Sequence, residues 1–155
     1  MQEILDHLAP TDWVLDLGSS HGSFPATATS ARVVRLDLDS MQGGPDRAVQ
    51  ANAAQLPFAD RKFTAVISNH SLEHLERLPE ALAEIGRVLS SGSALFISVP
   101  DASTFTDKLY RWLANGGGHV NAFCSPGQVI RIVEQATGLE CRATRLLCSS
   151  LSFLN

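Results

Sequence analysis

Cysteine is scarce in this 155-residue chain and poorly placed for cross-linking. The three residues Cys124, Cys141 and Cys148 form no Cys-x-x-Cys pair, and an odd number cannot close a disulfide framework. A reducing compartment is the expectation. The first residues lack the basic start and apolar run of an export leader and carry Glu3, Asp6, Asp12 and Asp16 instead, which points to the cytoplasm. A membrane span is also missing: the longest uncharged stretch, 112–130, is interrupted by Asn115, Gly116, Gly117, Gly118, Asn121 and Pro126, and reads as a loop between helices. Nor is there an excess of positive charge. Twelve Lys plus Arg against sixteen Asp plus Glu give a formal charge of -4 and a pI near 5.7, so no nucleic-acid partner is expected.

What the chain does have is apolar material: 45% hydrophobic residues against 18% charged, with a mean hydropathy of +0.05. That is enough for a buried core, and the length suits a single domain spanning 1–155. Ile4, Leu5 and Leu8 suggest a short helix before Pro10. Strands are expected at Trp13 to Leu17, Arg32 to Leu36, Ala48 to Ala51, Thr64 to Ser68 and Ala94 to Val99. Their near-continuous apolarity, without alternation, predicts strands covered on both faces, as in a parallel sheet. Leu78, Leu82, Ile85 and Leu89 share one face of a crossover helix that Ser91-Gly92 should end. Thr104 with Asp107 predicts the cap of another helix carrying Phe105, Leu109, Trp112 and Leu113, and Ser125-Pro126-Gly127-Gln128 opens a last one closed by Gly138. The fold class is therefore α/β, a doubly wound and mostly parallel sheet of Rossmann-like type.

The most informative segment is Asp16-Leu17-Gly18-Ser19-Ser20-His21-Gly22, a glycine-containing turn directly after the first strand. In open α/β sheets ligands bind beyond the carboxyl ends of strands, where glycine lets backbone approach the ligand. Asp37, 19 residues past Gly18, closes the second strand near the spacing at which a carboxylate accepts bonds from ribose hydroxyls. Each feature alone reads as an ordinary turn or a surface acid; together they favour a nucleoside-like ligand. Gly18-x-x-x-Gly22 is not G-x-G-x-x-G, which argues against a nicotinamide cofactor.

Four segments in order make the sequence resemble class I S-adenosylmethionine-dependent methyltransferases, in particular the branch acting on small molecules and lipids. They are Val14-Leu15-Asp16-Leu17-Gly18 with Gly22; Val33-Val34-Arg35-Leu36-Asp37; Ala51 to Phe58; and Ser71-Leu72-Glu73-His74-Leu75 leading into Arg87-Val88-Leu89. Gly118-His119-Val120 is similar to that family's stretch after the fifth strand. The resemblance implies that Asp16, Gly18 and Gly22 lie beneath the amino-acid end of the cofactor, with Ser20 replacing the usual middle glycine. It implies Asp37 as the ribose ligand, Asn52 beside adenine where the family usually has Asp, and the Ala53 amide on a ring nitrogen. It places Asn69 and His70 near the methyl group and acceptor. It also implies a seventh strand, for which Cys148 to Asn155 supplies little, so the last part of the sheet is expected to be incomplete.

The expected activity is methyl transfer from S-adenosylmethionine to a small-molecule or lipid O, N or C nucleophile. The alternative is a noncatalytic nucleoside-binding or interaction module with the same fold. Where the acceptor must lose a proton, His70 is the first candidate base, then His119 and His74. His119 follows three glycines that leave its backbone freedom to reach the site, or it is a loop residue satisfied by backbone. His21 and His7 read as surface residues, and Cys141 and Cys148 as buried thiols in a strand-like run. His70-Ser71-Leu72-Glu73-His74 also matches the zinc-peptidase pattern H-x-x-E-H, but that chemistry needs a third, distant ligand for which Glu134 and Glu140 are only guesses. No metal is expected.

Overall fold

The computed structural model describes residues 1–39, 47–103 and 118–145. Among these residues five strands form one sheet: β1 (Trp13–Leu17), β2 (Arg32–Asp37), β3 (Ala48–Gln50), β4 (Phe63–Asn69) and β5 (Leu89–Ser98). All neighbours are parallel and their order is β3-β2-β1-β4-β5. Strand order reverses between β1 and β4, so the loops after those two strands diverge and leave the crevice where α/β sheets bind ligands.

Burial explains why the strands read as unbroken apolar runs. Val14 to Leu17 are all buried, with Leu15 and Leu17 on one face of the sheet and Val14 and Asp16 on the other. The Leu15 face is covered by α2 (Leu78–Val88) and α3 (Pro126–Thr137), which pack against each other. In α2 the buried side chains Ala81, Leu82, Ile85 and Val88 fall on one stripe, with Pro79 in the first turn where its missing N–H costs nothing. Leu82 and Ile85 each contribute about 1.5–3 kcal/mol of transfer free energy. Ser125 caps α3, its hydroxyl accepting from the Gln128 amide at 3.3 Å, and Gly138 ends it at φ 71°.

The Val14 face is covered differently. The link from β1 to β2 holds only a 3₁₀ turn at Ala26–Ala28, directly after Pro25. The short helix α1 (Gln2–Leu5) and Phe24 cover this side, packing Leu5, Met1, Ile4 and Leu8 over Val14, Ala65 and Ile67. A three-residue turn carries little helix dipole toward the neighbouring glycine loop.

Two expectations are corrected. The crossover helix ends at Val88: Leu89 opens β5 by pairing with Phe63, and Ser91-Gly92 lies inside the strand. The register then jumps, Ala65 pairing with Ala94, and Gly92 at φ 72° turns the excess residues outward. Leu89 is buried whether it ends a helix or starts a strand, so periodicity alone does not separate the two. Cys141 is exposed rather than buried, and no strand runs through the described residues 139–145. The helix expected after Thr104, Cys148 and the end of the sheet at 146–155 lie outside the described residues.

Candidate functional site

The turn after β1 is built from backbone. The Gly18 and Ser19 amides both donate to the Leu36 carbonyl, at 2.8 and 3.2 Å, tying the loop to the end of β2. Gly18 (φ 65°) is compulsory: a Cβ there would fall 2.4 Å from the Ser71 Cβ, in the loop after β4. Ser20 is left-handed as well (φ 44°), although it carries a side chain, which is exposed. Its amide donates to the Asp37 Oδ2 at 2.7 Å. The Asp39 amide donates to Oδ1 at 3.2 Å, so each Asp37 oxygen keeps a lone pair for a further donor. Gly18, Ser20 and Asp37 are thus brought together, while His21 faces solvent.

Asp16 lies under this turn and is fully buried. Its Oδ2 accepts from the Ser23 amide and from the Arg35 Nη1, both at 3.0 Å. Burial pushes its carboxyl above the ordinary aspartate range, and Ser23 and Arg35 pull it back. Arg35 also donates to the Phe24 carbonyl at 2.9 Å, and its guanidinium fills the space in which any Gly22 side chain would stand. Asp16 and Gly22 therefore shape the loop from below. The importance of Arg35 was invisible in sequence, although its place opposite Asp16 follows once the strands are registered.

The segment after β3 carries Asn52 and Ala53. Asn52 is exposed and its Oδ1 accepts from the Ala54 amide at 2.8 Å, an Asx turn that presents its amide nitrogen and the buried Ala53 at the same edge of the sheet as Asp37. The Ala51 amide donates to the Asp37 carbonyl at 2.9 Å, which joins the two loops. A hub holds this segment to α2. Arg87 donates to both Glu84 oxygens (2.7 and 2.8 Å), to Asp60 (2.7 Å) and to the Phe58 and Leu56 carbonyls (2.8 and 3.1 Å), while Glu84 accepts from the Leu56 amide (2.8 Å). Sequence reasoning gave Arg87 no role, though its i,i+3 spacing from Glu84 was a visible signal.

The loop after β4 holds the remaining residues. Asn69 ends β4 opposite Ser98. His70 is left-handed at φ 53°, uncommon for a non-glycine residue, with its amide donating to the Ser98 carbonyl at 2.9 Å. Its Nδ1 stands 3.5 Å from Oε1 of the buried Glu73. The Glu73 hydrogen bond raises the His70 pKa above the usual histidine value against the opposing effect of burial. Ser68 and Ser71 exchange a hydroxyl hydrogen bond of 2.6 Å beneath the loop. His74 and His119 meet edge to face with ring centroids 4.8 Å apart, and the His74 Nδ1 lies 3.0 Å from the Gly118 carbonyl.

An open parallel sheet with a glycine turn at its switch point and a carboxylate at the end of the adjacent strand is the architecture of nucleotide-binding α/β domains. More particularly, the chain belongs to the methyltransferase domain family, whose model matches residues 15–97. It is 33% identical over 135 residues to a malonyl-[acyl-carrier protein] O-methyltransferase of Methylococcus capsulatus, covering 77% of this chain and 49% of that protein. It is 29% identical over 141 residues to a bifunctional biotin biosynthesis protein of Cellvibrio japonicus, covering 84% of this chain and 28% of the relative. The chain thus spans about a quarter to a half of the length of these relatives. A SAM-dependent methyltransferase of Thermotoga maritima shares the fold, with a TM-score of 0.69 at 18% identity over 87% of this chain and 67% of the other.

Proposed function

We propose that this protein binds S-adenosylmethionine and transfers its methyl group to a small-molecule or lipid acceptor. The observation that carries the reading is the joint held by the Ser20 amide and Asp37, with Gly18 packed against Ser71 at the sheet's switch point. Family membership and the malonyl-[acyl-carrier protein] O-methyltransferase relative support it.

The residues fit such a cofactor. Asp37 retains a lone pair on each oxygen for the ribose hydroxyls, and the Asn52 and Ala53 edge offers both an amide side chain and backbone to a purine. Asp16 and Gly22 support the turn from beneath. When bound, S-adenosylmethionine supplies a methyl group already activated by its sulfonium charge. The protein's own task is then alignment and exclusion of water. Asn69, the last residue of β4, and His70, just past it, are the residues to which this reading gives the positioning of the acceptor. If that acceptor carries a proton, His70 is the base we favour over His74 and His119, because its left-handed backbone fixes the ring beside Glu73. No helix among the described residues is long and apolar enough to cross a membrane.

Calorimetric titration with S-adenosylmethionine and S-adenosylhomocysteine, with NADH as comparator, tests the reading. Saturable binding of the first two but not the third is expected, followed by label transfer from methyl-labelled donor to one member of a panel of carboxylates, phenols, quinols and amines. Absence of binding overturns the cofactor. Tight binding with no transfer across the panel would favour the noncatalytic module.

A further inference from the structure

The loop after β4 and the segment after Gly118 meet over one small cluster that the methyl-transfer reading does not need as a unit. Glu73, His74 and His119 each offer one ligand atom, and these atoms all lie within 4.8 Å of one another. We propose that Glu73, His74 and His119 form a binding site for a divalent transition metal ion, of the zinc, cobalt or nickel type.

Four observations point the same way. His74 has its Nδ1 3.0 Å from the Gly118 carbonyl, which can only accept; in the neutral ring the proton is therefore on Nδ1 and Nε2 carries the lone pair that can bind an ion. A backbone carbonyl holding the second ring nitrogen is how metal-binding imidazoles are fixed in one tautomer. Glu73 is buried, its side chain only 2% exposed, yet Oε2 has no hydrogen-bond partner among the described residues. A buried carboxylate oxygen left without a donor is costly, and a cation beside it removes that cost. The loop carrying His119 is strapped down: the Val120 and Asn121 amides donate to the Glu73 carbonyl at 2.9 and 3.0 Å, and the Asn121 amide nitrogen donates to the Leu72 and Leu75 carbonyls at 3.0 and 2.7 Å. Finally, His74 is exposed and His119 half-buried, so an ion has a path in from solvent.

Geometry and chemistry select the ion. Donors around a tetrahedral zinc at about 2.0–2.1 Å lie roughly 3.4 Å apart, and the donors here, all within 4.8 Å of one another, need only draw somewhat closer to reach that spacing. Two imidazoles and one carboxylate suit zinc, cobalt or nickel and are poor for magnesium, which prefers oxygen alone. The set differs from the zinc-peptidase reading of H-x-x-E-H: Glu73 is a ligand instead of a base, and the distant third ligand is His119, not Glu134 or Glu140. His70 is outside the set and stays available to the acceptor. Three protein ligands leave a coordination position for an oxygen-bearing molecule. That this molecule is the methyl acceptor rests on the proposed function; the metal site itself does not.

The test uses the whole chain, stripped with a chelator and titrated with cobalt(II) while the visible d–d absorption is followed. One cobalt per chain, displaced by zinc and unaffected by millimolar magnesium, is expected. His74→Ala and His119→Ala should each weaken binding by more than the roughly 10- to 100-fold that loss of an outer-shell partner costs, with the circular dichroism spectrum unchanged. His7→Ala, on an exposed histidine far along the chain, should bind as the parent does. Should Glu73→Gln fail to fold, the exposed His74 decides. No saturable cobalt binding, or binding that survives both His74→Ala and His119→Ala, overturns the site. Titration of the same variants with S-adenosylmethionine separates the two proposals: intact cofactor binding without metal sinks only the metal site, and metal without cofactor sinks only the transfer reading.

Discussion

Asp16 and Arg35 are register partners on adjacent parallel strands, joined by a 3.0 Å salt bridge whose side chains are 0% and 8% exposed. The pair lies directly under the turn that carries Gly18 to Gly22, so the strand register itself sets the height of the proposed cofactor loop. Removing one partner leaves the other charge buried and unpaired. Arg35→Met should therefore destabilise the fold by about 3–5 kcal/mol, whereas the double change Asp16→Leu with Arg35→Met should cost far less. Denaturant unfolding of the wild type and the two variants measures this. A double variant as unstable as the single one would contradict the argument.

Ser20 adopts φ 44° with its side chain in solvent, a conformation that costs an L-residue about 1–2 kcal/mol relative to glycine. Glycine returns roughly 0.4–1 kcal/mol of that through the freer unfolded chain. Ser20→Gly should thus raise stability by up to about 1 kcal/mol and leave cofactor affinity equal or higher, since the amide that meets Asp37 is kept. A marked loss of affinity in titration would mean that the Ser20 hydroxyl contacts the ligand. Gly18→Ala is the opposite case, because its Cβ has no space beside Ser71, and it should disrupt both stability and binding.

The parts of the fold that could be read from sequence are those fixed by local pattern. Trp13 to Leu17 and Arg32 to Asp37 carry apolar residues on both faces, broken only by Asp16 and Arg35 within, and end at glycine or a strand-end acid, and Ser125 and Gly138 mark the two ends of α3 by cap chemistry. The start of the segment from Leu89 to Ser98 is ambiguous in sequence because a buried leucine serves helix and strand equally, and Gly92 signals the end of a helix as readily as a bulge within a strand. In the site, Gly18 and Asp37 stood out by residue type. Arg35, Ser71 and Arg87 did not, since each matters through a partner distant in sequence: Arg35 through Asp16, Ser71 through Gly18, and Arg87 through Asp60 and the carbonyls of Leu56 and Phe58. The meeting of His74 with His119 likewise depends on how a loop 44 residues later folds back.

Arg87 should hold the Asn52 segment in place. Arg87→Met removes five hydrogen bonds, and because Arg87 and Asp60 are partly open to solvent the loss should be about 1–2 kcal/mol. The effect should depend on pH. Glu84 has its pKa lowered from 4.5, chiefly by the Arg87 hydrogen bond. A depressed carboxylate contributes stability that is fully present above its unfolded value and lost as pH falls through the folded one. The gap between wild type and Arg87→Met should therefore be constant above about pH 5 and narrow below pH 4.5, as read from unfolding curves at several acid pH values.

Asp37→Ala should weaken S-adenosylmethionine binding about ten- to hundredfold, equivalent to the roughly 1.5–3 kcal/mol of a charge-assisted hydrogen bond. The structure adds a second consequence: the Ser20 amide loses its acceptor at the same time. Asp37→Asn retains an oxygen for that amide and should fall between wild type and alanine. Equal affinity in all three proteins would remove Asp37 from the ribose site.

His70→Ala should slow methyl transfer much more than it weakens cofactor binding. The backbone is the reason: a left-handed histidine whose amide donates to the Ser98 carbonyl, and whose ring is set between Glu73 and the Ser98 hydroxyl, lies just beyond β4, on the far side of the switch point from Asp37. A positioned general base typically contributes about 10²- to 10⁴-fold in rate. Since alanine also relieves a left-handed side chain poorly, His70→Gly is the better control for backbone strain, and both variants should lose turnover alike if the imidazole is what matters. A loss confined to alanine would identify His70 as a conformational element of the loop. Full turnover in both, with turnover lost in His119→Ala, would move the base to the segment after Gly118. Rates under saturating acceptor, set beside calorimetric affinities for the same proteins, distinguish these outcomes.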